Sequence, residues 1–417
     1  MYYNRSVEEV IKKAAGSFPC IVVYGARQVG KSTTVQMLFE GVKYITLDDT
    51  SDRALAKTNP KLFLETYSWP LIIDEIQKVP ELLSEIKIII DKQKLIWMKE
   101  NKEYAPMYIL TGSNQYELQN AVSESLAGRT AVITMASFSS VEIEKKTGES
   151  FDPEISVLLK KEKDKNLTAK TTREIFEAIF NGGMPDVVTG RSEREIYFRS
   201  YISTYIEKDI RNLINVSDEA AFMNFISIVA LRTGQQLNID DISKSVGIDN
   251  KKCKKWISIL ESSGIIATIQ PFMKNATNRI IKTPKIYFMD TGLCAYLCKW
   301  PNAEMLEKCA MSGAFFETYV VSEIIKSLMN GGKNYKDYIY YYRDRDAKEI
   351  DVIYYKNGSI YPIEIKKGIT PTKATKNFIV LEKFKMPVMP GLVIDCCDKI
   401  RPINERAYYC PVSLIGM

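Results

Sequence analysis

Short apolar runs bounded by turn or charged residues dominate the first third of the chain. They are Cys20–Tyr24 (CIVVY), 42–49 (VKYITLDD), 69–77 (WPLIIDEIQ), 107–114 (MYILTGSN) and 130–138 (TAVITMASF). Runs of this length read as strands buried on both faces. Between the first two, Ser32 to Glu40 places Val35, Leu38 and Phe39 on one helical stripe and meets Gly41, a natural cap. Strands alternating with helices predict an α/β unit with a parallel sheet covered on both faces.

The pattern then changes. Residues 146–172 are rich in charge and Thr (KKEKDKNLTAKTT) and read as an exposed connection. Helical periodicity returns in REIFEAIFNGGMP and in YISTYIEKDIRNLI, where Ile202, Ile206, Ile210 and Leu213 share a stripe. Residues 237–266 have helix-turn-helix character. Ile242 and Val246 belong to a first helix, Gly247 fits the turn, and Asp249 or Asn250 caps a second. On that second helix Cys253, Ile257 and Leu260 face inward, which leaves Lys251, Lys254 and Lys255 together on the other side. IIATIQPF and KIYFMD would supply wing strands.

After Trp300-Pro301 comes a helix, GAFFETYVVSEIIKSLMNGG, then the strand YIYYYR and a hairpin, EIDVIYYKNGSIYPIEIK. Glu317 shares a stripe with Val321, Ile324 and Leu328, and Glu323 lies near Phe316 and Tyr319, so periodicity does not separate the two acids. The hairpin turn is Asn357-Gly358, the pair suited to a type I′ turn. A two-residue loop pairs Lys356 with Ser359 and sets Asp351 opposite Glu364, with Glu349 opposite Lys366. Glu364 and Lys366, two apart, project from one face. The boundaries read from these patterns are 1–145 for the first α/β domain and 146–215 for a linker with a helical lid. A winged helix would follow at 216–300 and a second α/β domain at 301–417.

Composition narrows the chemistry. The 417 residues contain no histidine, which excludes Ser-His and Cys-His triads, a His base and His metal sites. Metal chemistry here must use oxygen ligands, which points to Mg²⁺ or Mn²⁺. Eight cysteines without CxxC pairs argue against a disulfide framework, and a cytoplasmic protein without a membrane span is expected. The net charge of +6 permits a polyanionic partner without demanding one.

Residues 25–33 (GARQVGKST) follow a strand and open a helix, the context a phosphate-binding P-loop needs. The backbone of Gly25, Ala26, Arg27, Gln28, Val29, Gly30, Lys31, Ser32 and Thr33 would cradle ATP phosphates. Lys31 would reach the β- and γ-phosphates and Ser32 would ligate Mg²⁺. LIIDE is a core strand ending in two acids, as in a Walker B motif: Asp74 would hold Mg²⁺ and Glu75 would polarise the attacking water.

The runs GARQVGKST, LDD, LIIDEIQKVPELL, IKIIID, ILTGSNQ and SLAGR resemble a family of prokaryotic AAA+-type ATPases that end in a domain of unknown function (number 4143). NGGMPDV, YIEKDIR, ALRTGQQLN, PKIYFMDTGL, FFETYV and IEIK extend the resemblance over nearly the whole chain. It implies ATP binding. In this ATPase class a polar residue at the fourth strand tip, here Ser113 or Asn114, senses the γ-phosphate. Arg129 stands where the class often carries an arginine finger that acts on a neighbour's nucleotide in a homo-oligomer; the ordinary alternative is a surface charge at a turn.

The acid, then Glu-x-Lys, across the last hairpin resembles the restriction-endonuclease-like motif. Asp351, Glu364 and the helix acid Glu317 would bind a divalent cation, and Lys366 would orient the nucleophile or offset charge. The plain alternative is a surface hairpin of ordinary salt bridges, including Glu349 with Lys366. For Lys251, Lys254 and Lys255 the choice is between DNA contact and a solvated or protein-docking face. Two functions follow: an Mg²⁺-dependent ATPase coupled to a DNA-acting nuclease-like domain, or an NTP-driven regulatory ATPase whose last domain is catalytically silent.

Overall fold

A computed structural model describes residues 2–113, 122, 124–164, 169–210, 219–273 and 283–417. The chain forms two compact units. One comprises Met1–Ser137 with Ser262–Gly264 and Met329–Gly332; the other comprises Phe138–Glu261, Ile265–Leu328 and Lys333–Met417.

The first unit is built on five parallel strands: β1 (Cys20–Tyr24), β2 (Lys43–Thr46), β3 (Leu71–Asp74), β4 (Tyr108–Gly112) and β5 (Thr130–Thr134). Their order across the sheet is β2-β3-β4-β1-β5. The two-residue period of a strand divides its side chains between two cores. Cys20, Val22, Leu71, Ile73 and Leu110 pack with Phe63, Leu82, Ile86 and Ile90 on one face. Ile21, Val23, Ile72 and Ile109 pack with Val7, Ile11 and Val35 on the other. Both layers of helices are therefore anchored by alternate residues of the same strands, and the C-terminal ends of β1, β3 and β4 lie side by side. The alternating pattern of the sequence led to this parallel, doubly covered sheet.

The second unit holds the remaining elements. Residues 146–172, expected as a loose connection, contain a helix at Ile155–Asp164. Phe151 and Leu158 are each 1% exposed, and Tyr354 donates to the Phe151 carbonyl at 3.1 Å. Two apolar anchors hold a segment that its charged neighbours disguised. Residues 165–168 lie outside the described part. Helices Ile239–Val246 and Asn250–Ser262 follow, joined at Gly247 in the left-handed region (φ 79°). Of the two possible caps, Asp249 accepts from the Lys252 N–H at 2.8 Å, while Asn250 bonds Ser243 and Asp240. β6 (Ile266–Ile269) and β7 (Lys285–Phe288) then form an antiparallel pair.

The last sheet has six strands in the order β12-β13-β11-β10-β9-β8. They are β8 (Ile339–Arg343), β9 (Glu349–Lys356), β10 (Ser359–Ile365), β11 (Gly391–Asp395), β12 (Arg401–Asn404) and β13 (Ala407–Pro411). The β9–β10 turn has positive φ at both Asn357 (51°) and Gly358 (78°), as a type I′ turn requires. Ser359 pairs with Lys356, and the same register runs to Ile363 with Val352, one step short of Glu364 and Asp351.

Candidate functional site

At the C-terminal edge of β1 the chain turns through the phosphate loop. A Cβ on Gly25 would lie 1.9 Å from the Met135 carbonyl oxygen, so no larger residue fits the start of the loop. Gly30 caps the helix Lys31–Leu38, whose first N–H groups lack intrahelical acceptors and favour an anion. The Lys31 ammonium is buried and donates to the Gly25 and Ala26 carbonyls at 3.0 and 2.8 Å. Burial lowers it to about 8, against the opposing pull of Glu75 and Asp74. A lysine held on its own loop is a cation stored where phosphate oxygens would take it over.

The two acids at the end of β3 are held differently. Asp74 is buried and accepts from Ser32 Oγ at 2.9 Å, Tyr44 Oη at 2.5 Å, Thr111 Oγ1 and the Glu75 N–H. Glu75 has a left-handed backbone (φ 56°). Its carboxylate accepts from Ser113 Oγ at 3.1 Å and from the Gln77 amide. Ser32 and Asp74, each expected on Mg²⁺, are hydrogen-bonded to one another, and Ser113, one of the two residues expected at the γ-phosphate, bonds Glu75. Tyr44, Thr111 and Gln77 are additional partners that spacing did not indicate, although Gln77 stands in the DEIQ run itself.

Of the other expected nucleotide residues, Thr33 is exposed and Asn114 lies outside the described residues. Arg129 is expected to act on a neighbour's nucleotide or to be a surface charge at a turn. It immediately precedes β5, whose Thr130 pairs with Cys20 at the start of β1, while the phosphate loop follows the far end of β1. Arg129 is therefore at the opposite edge of the sheet and cannot touch nucleotide in its own chain. Asp91 holds it bidentately at 2.6 and 2.9 Å.

The second unit gathers another set of charges. Asp351 Oδ2 accepts from the Ile365 N–H at 2.8 Å and from Lys366 Nζ at 3.4 Å. Lys366 also donates to Glu364 Oε1 at 2.7 Å. On the helix Ser312–Asn330, Glu317 Oε1 accepts from Lys285 Nζ at 2.9 Å and from Tyr287 Oη at 2.7 Å. The two helix acids are thereby separated: Glu323 bonds Lys326 and the Ser140 N–H and has no part in this cluster. The expected Glu349–Lys366 salt bridge is absent. Glu349 instead meets Lys285 at 2.5 Å and Arg343 at 3.1 Å, because β8 brings Arg343 opposite it.

Burial, followed by the charge of Asp351, pushes both Glu317 and Glu364 up to about 7. Each of Glu317, Asp351 and Glu364 commits one oxygen to fixed donors. The second oxygen of each makes no hydrogen bond among the described residues, and Glu364 Oε2 is fully buried without a partner. Hard oxygens are the ligand type that Mg²⁺ and Mn²⁺ take. The described residues include no ready-made group of three or more His, Cys, Asp or Glu able to hold a metal. Magnesium does not need one, since one or two carboxylates with water and substrate phosphate commonly complete its shell.

Lys251, Lys254 and Lys255 are all exposed, while Cys253, Ile257 and Leu260 of the same helix are buried, as the periodicity required. Lys254 lines a polar cleft of about 780 Å³ together with Arg232, Asn250, Lys285, Arg343 and Glu349. Lys251 and Lys255 do not line this cleft, and neither do Glu317, Asp351 and Glu364. Among the described residues no helix is long and apolar enough to cross a membrane.

Comparison with known proteins matches three stretches of the chain. Residues 17–144 match an AAA domain, 172–304 a domain of unknown function (DUF8612) and 312–415 another domain of unknown function (DUF4143). The first unit therefore carries an AAA-type P-loop ATPase domain. The uncharacterized proteins Mb2031c of Mycobacterium bovis and Rv2008c of Mycobacterium tuberculosis are each 22% identical over 377 residues, which cover 88% of this chain and 75% of theirs. Among solved structures, the Walker-type ATPase PABY2304 of Pyrococcus abyssi is similar with a TM-score of 0.43 at 14% identity, covering 71% of this chain and 96% of that one. Cdc6p of Pyrobaculum aerophilum has a TM-score of 0.24 at 13% identity, covering 70% of this chain and 92% of that one.

Proposed function

We propose that this chain binds and hydrolyses ATP with Mg²⁺, and that its second unit cuts a phosphodiester of DNA with a divalent cation at Asp351, Glu364 and Glu317. The observation that carries the first part is the joining of Ser32 to Asp74 beside a lysine stored on its own loop. Magnesium, when bound, neutralises the phosphate charge that hydrolysis develops. Ser32 and Asp74 would hold it, and Lys31 would pass from the Gly25 and Ala26 carbonyls to the β- and γ-phosphates. Glu75 would take the proton of the attacking water. Ser113, which donates to Glu75, would also meet the γ-phosphate, so phosphate arrival would compete for its hydroxyl. In an assembly of copies, Arg129 would serve a neighbour's site only after leaving Asp91.

The second part rests on the three carboxylates that each keep one oxygen free. Asp351, Glu364 and Glu317 would hold a divalent cation, which would supply a more acidic water and offset charge on phosphorus. Lys366, already on both Asp351 and Glu364, would orient the nucleophile. Elements Ile239–Ser262 with β6 and β7 would act as a winged helix, with Lys251, Lys254 and Lys255 on DNA phosphates. One observation favours the silent alternative: Lys366 and Lys285 each already bridge two acids, an arrangement that can persist without metal.

The test is incubation of plasmid and oligonucleotide DNA with the full chain, with and without ATP, Mg²⁺ and Mn²⁺. Metal-dependent cleavage lost in Asp351→Asn supports the reading. Cleavage that survives Asp351→Asn contradicts it, and no cleavage under any condition leaves the silent module.

A further inference from the structure

Residues 2–7 precede the helix Glu8–Ala15 and lie against the phosphate loop. Val7 and Ile11 are fully buried in the core that also holds Val29 of the loop. This anchoring leaves Arg5, just ahead of them, only 2% exposed. Arg5 is fixed from behind: Glu8 Oε1 accepts from its backbone N–H at 2.6 Å and from Tyr2 Oη at 2.7 Å. The guanidinium donates through Nη1 to the Val29 carbonyl and through Nη2 to the Ala136 carbonyl, each at 2.8 Å. Ala136 follows Met135, whose carbonyl oxygen Gly25 abuts. Arg5 thus fastens the second half of the loop to the same stretch of chain that borders its first half.

Burying a guanidinium is unfavourable, and arginine does not escape by losing its charge. The Val29 carbonyl gives this arginine a use beyond packing. In a planar trans peptide the C=O and the N–H point in opposite directions. The N–H that shares a peptide with the Val29 carbonyl is that of Gly30, the cap of the helix Lys31–Leu38. Held by its carbonyl, this peptide cannot rotate, and its N–H stays aimed away from Arg5. We propose that Arg5 is a positioning residue of the phosphate loop, which holds the Val29–Gly30 peptide so that the Gly30 N–H faces a phosphate that ATP and ADP share. The guanidinium also sets a permanent positive charge beside the loop, since Nη1 lies 3.6 Å from where a Cβ of Gly30 would stand. This inference rests on the ATP-binding reading given above.

The experiment is calorimetric titration of ADP and of ATP into the full chain and into Arg5→Gln and Arg5→Lys, in EDTA and again with Mg²⁺, with steady-state ATP turnover and thermal unfolding alongside. A phosphate that loses a well-aimed N–H loses a hydrogen bond made to a charged group, which is about 10-fold in affinity. Arg5→Gln should therefore weaken ADP and ATP alike by about 10-fold, with and without metal. It should raise KM while kcat stays within about 3-fold, because the contact is made equally in ground and transition states. Arg5→Lys, which keeps the charge but not the two-pronged reach, should fall between parent and Arg5→Gln. An arginine that only packs residues 2–7 would instead lower the unfolding midpoint and the fraction of competent sites, and leave the Kd of those sites unchanged. Parental Kd in Arg5→Gln, or a fall in kcat at unchanged KM, overturns the proposal and leaves ATP binding standing. If Arg5→Gln does not fold, Arg5→Lys decides: a weakened Kd there supports the proposal and a parental one overturns it. A parent that binds neither nucleotide removes the ATP-binding reading, and this inference with it.

Discussion

Replacing Glu364 with Gln should stabilise the metal-free protein in mild alkali and leave it nearly unchanged in mild acid. Glu364 is 7% exposed, and one of its oxygens is buried without a donor. Burial and the charge of Asp351 raise it from 4.5 to about 7. The protonated form is favoured in the fold, so its contribution to stability is present in acid, falls as pH rises from the unfolded value toward 7, and stays lost above it. The shift corresponds to about 3 kcal/mol of penalty for carrying the charge at pH 8. Gln removes that charge but leaves an amide N–H seeking an acceptor, which returns about 1–2 kcal/mol. Lys366 keeps Asp351 at 3.4 Å as a partner. A net gain of about 1–2 kcal/mol at pH 8 remains, against almost none near pH 5, where the carboxyl already holds its proton. Thermal unfolding of parent and variant at the two pH values, without divalent metal, measures this. Each kcal/mol moves the midpoint by about 2–4 °C in units of this size. An equal change at both pH values, or a less stable variant at pH 8, would refute the burial-and-repulsion argument. Adding Mg²⁺ at pH 8 should stabilise the parent more than the variant, because the cation takes over the role of the proton.

Changing Lys251, Lys254 and Lys255 together to Ala should weaken duplex DNA binding with little change in melting temperature, since all three are exposed. Each lost phosphate contact should lower the salt slope by about one, and parental binding would make this helix a docking face. Ser113→Ala should slow ATP turnover while leaving nucleotide affinity within about 3-fold, because its hydroxyl meets Glu75 and not the loop. Arg129→Ala should abolish any rise of specific ATPase activity with protein concentration, whereas Asp91→Ala, which only frees Arg129, should preserve it; identical concentration profiles for both would deny Arg129 a role between copies.

The sequence was most informative where local geometry dictates a single answer. Asn357-Gly358 fixed a turn, the turn fixed a register, and the register brought Asp351 and Glu364 onto one lysine. The strand period likewise determined which residues of β1, β3 and β4 serve each face of the first sheet. Spacing failed where a partner comes from far along the chain. Lys285 at a strand start reads as a solvent edge, and nothing nearby shows that Glu317 and Glu349 will close over it. Glu317 and Glu323 were inseparable on their helix because both lie near apolar stripes; only tertiary packing gave Glu323 to Lys326 and Glu317 to β7. Arg129, expected to act on a neighbour's nucleotide, lies at the edge of its own sheet away from the phosphate loop and bonds Asp91, a partner that its place before β5 does not reveal. Tyr44 sits in a short strand that reads as an ordinary β-former until its hydroxyl is found on Asp74.

ATP turnover by three forms of the full chain tests the central claim most directly. Glu75→Gln should bind ATP and Mg²⁺ as the parent does and hydrolyse it more slowly by about 10²-fold or more, the cost of losing a general base. Lys31→Ala should lose nucleotide binding itself, because the loop then lacks the buried ammonium stored beside the phosphate position. Tight ATP binding by Lys31→Ala, or parental turnover by Glu75→Gln, would contradict the account.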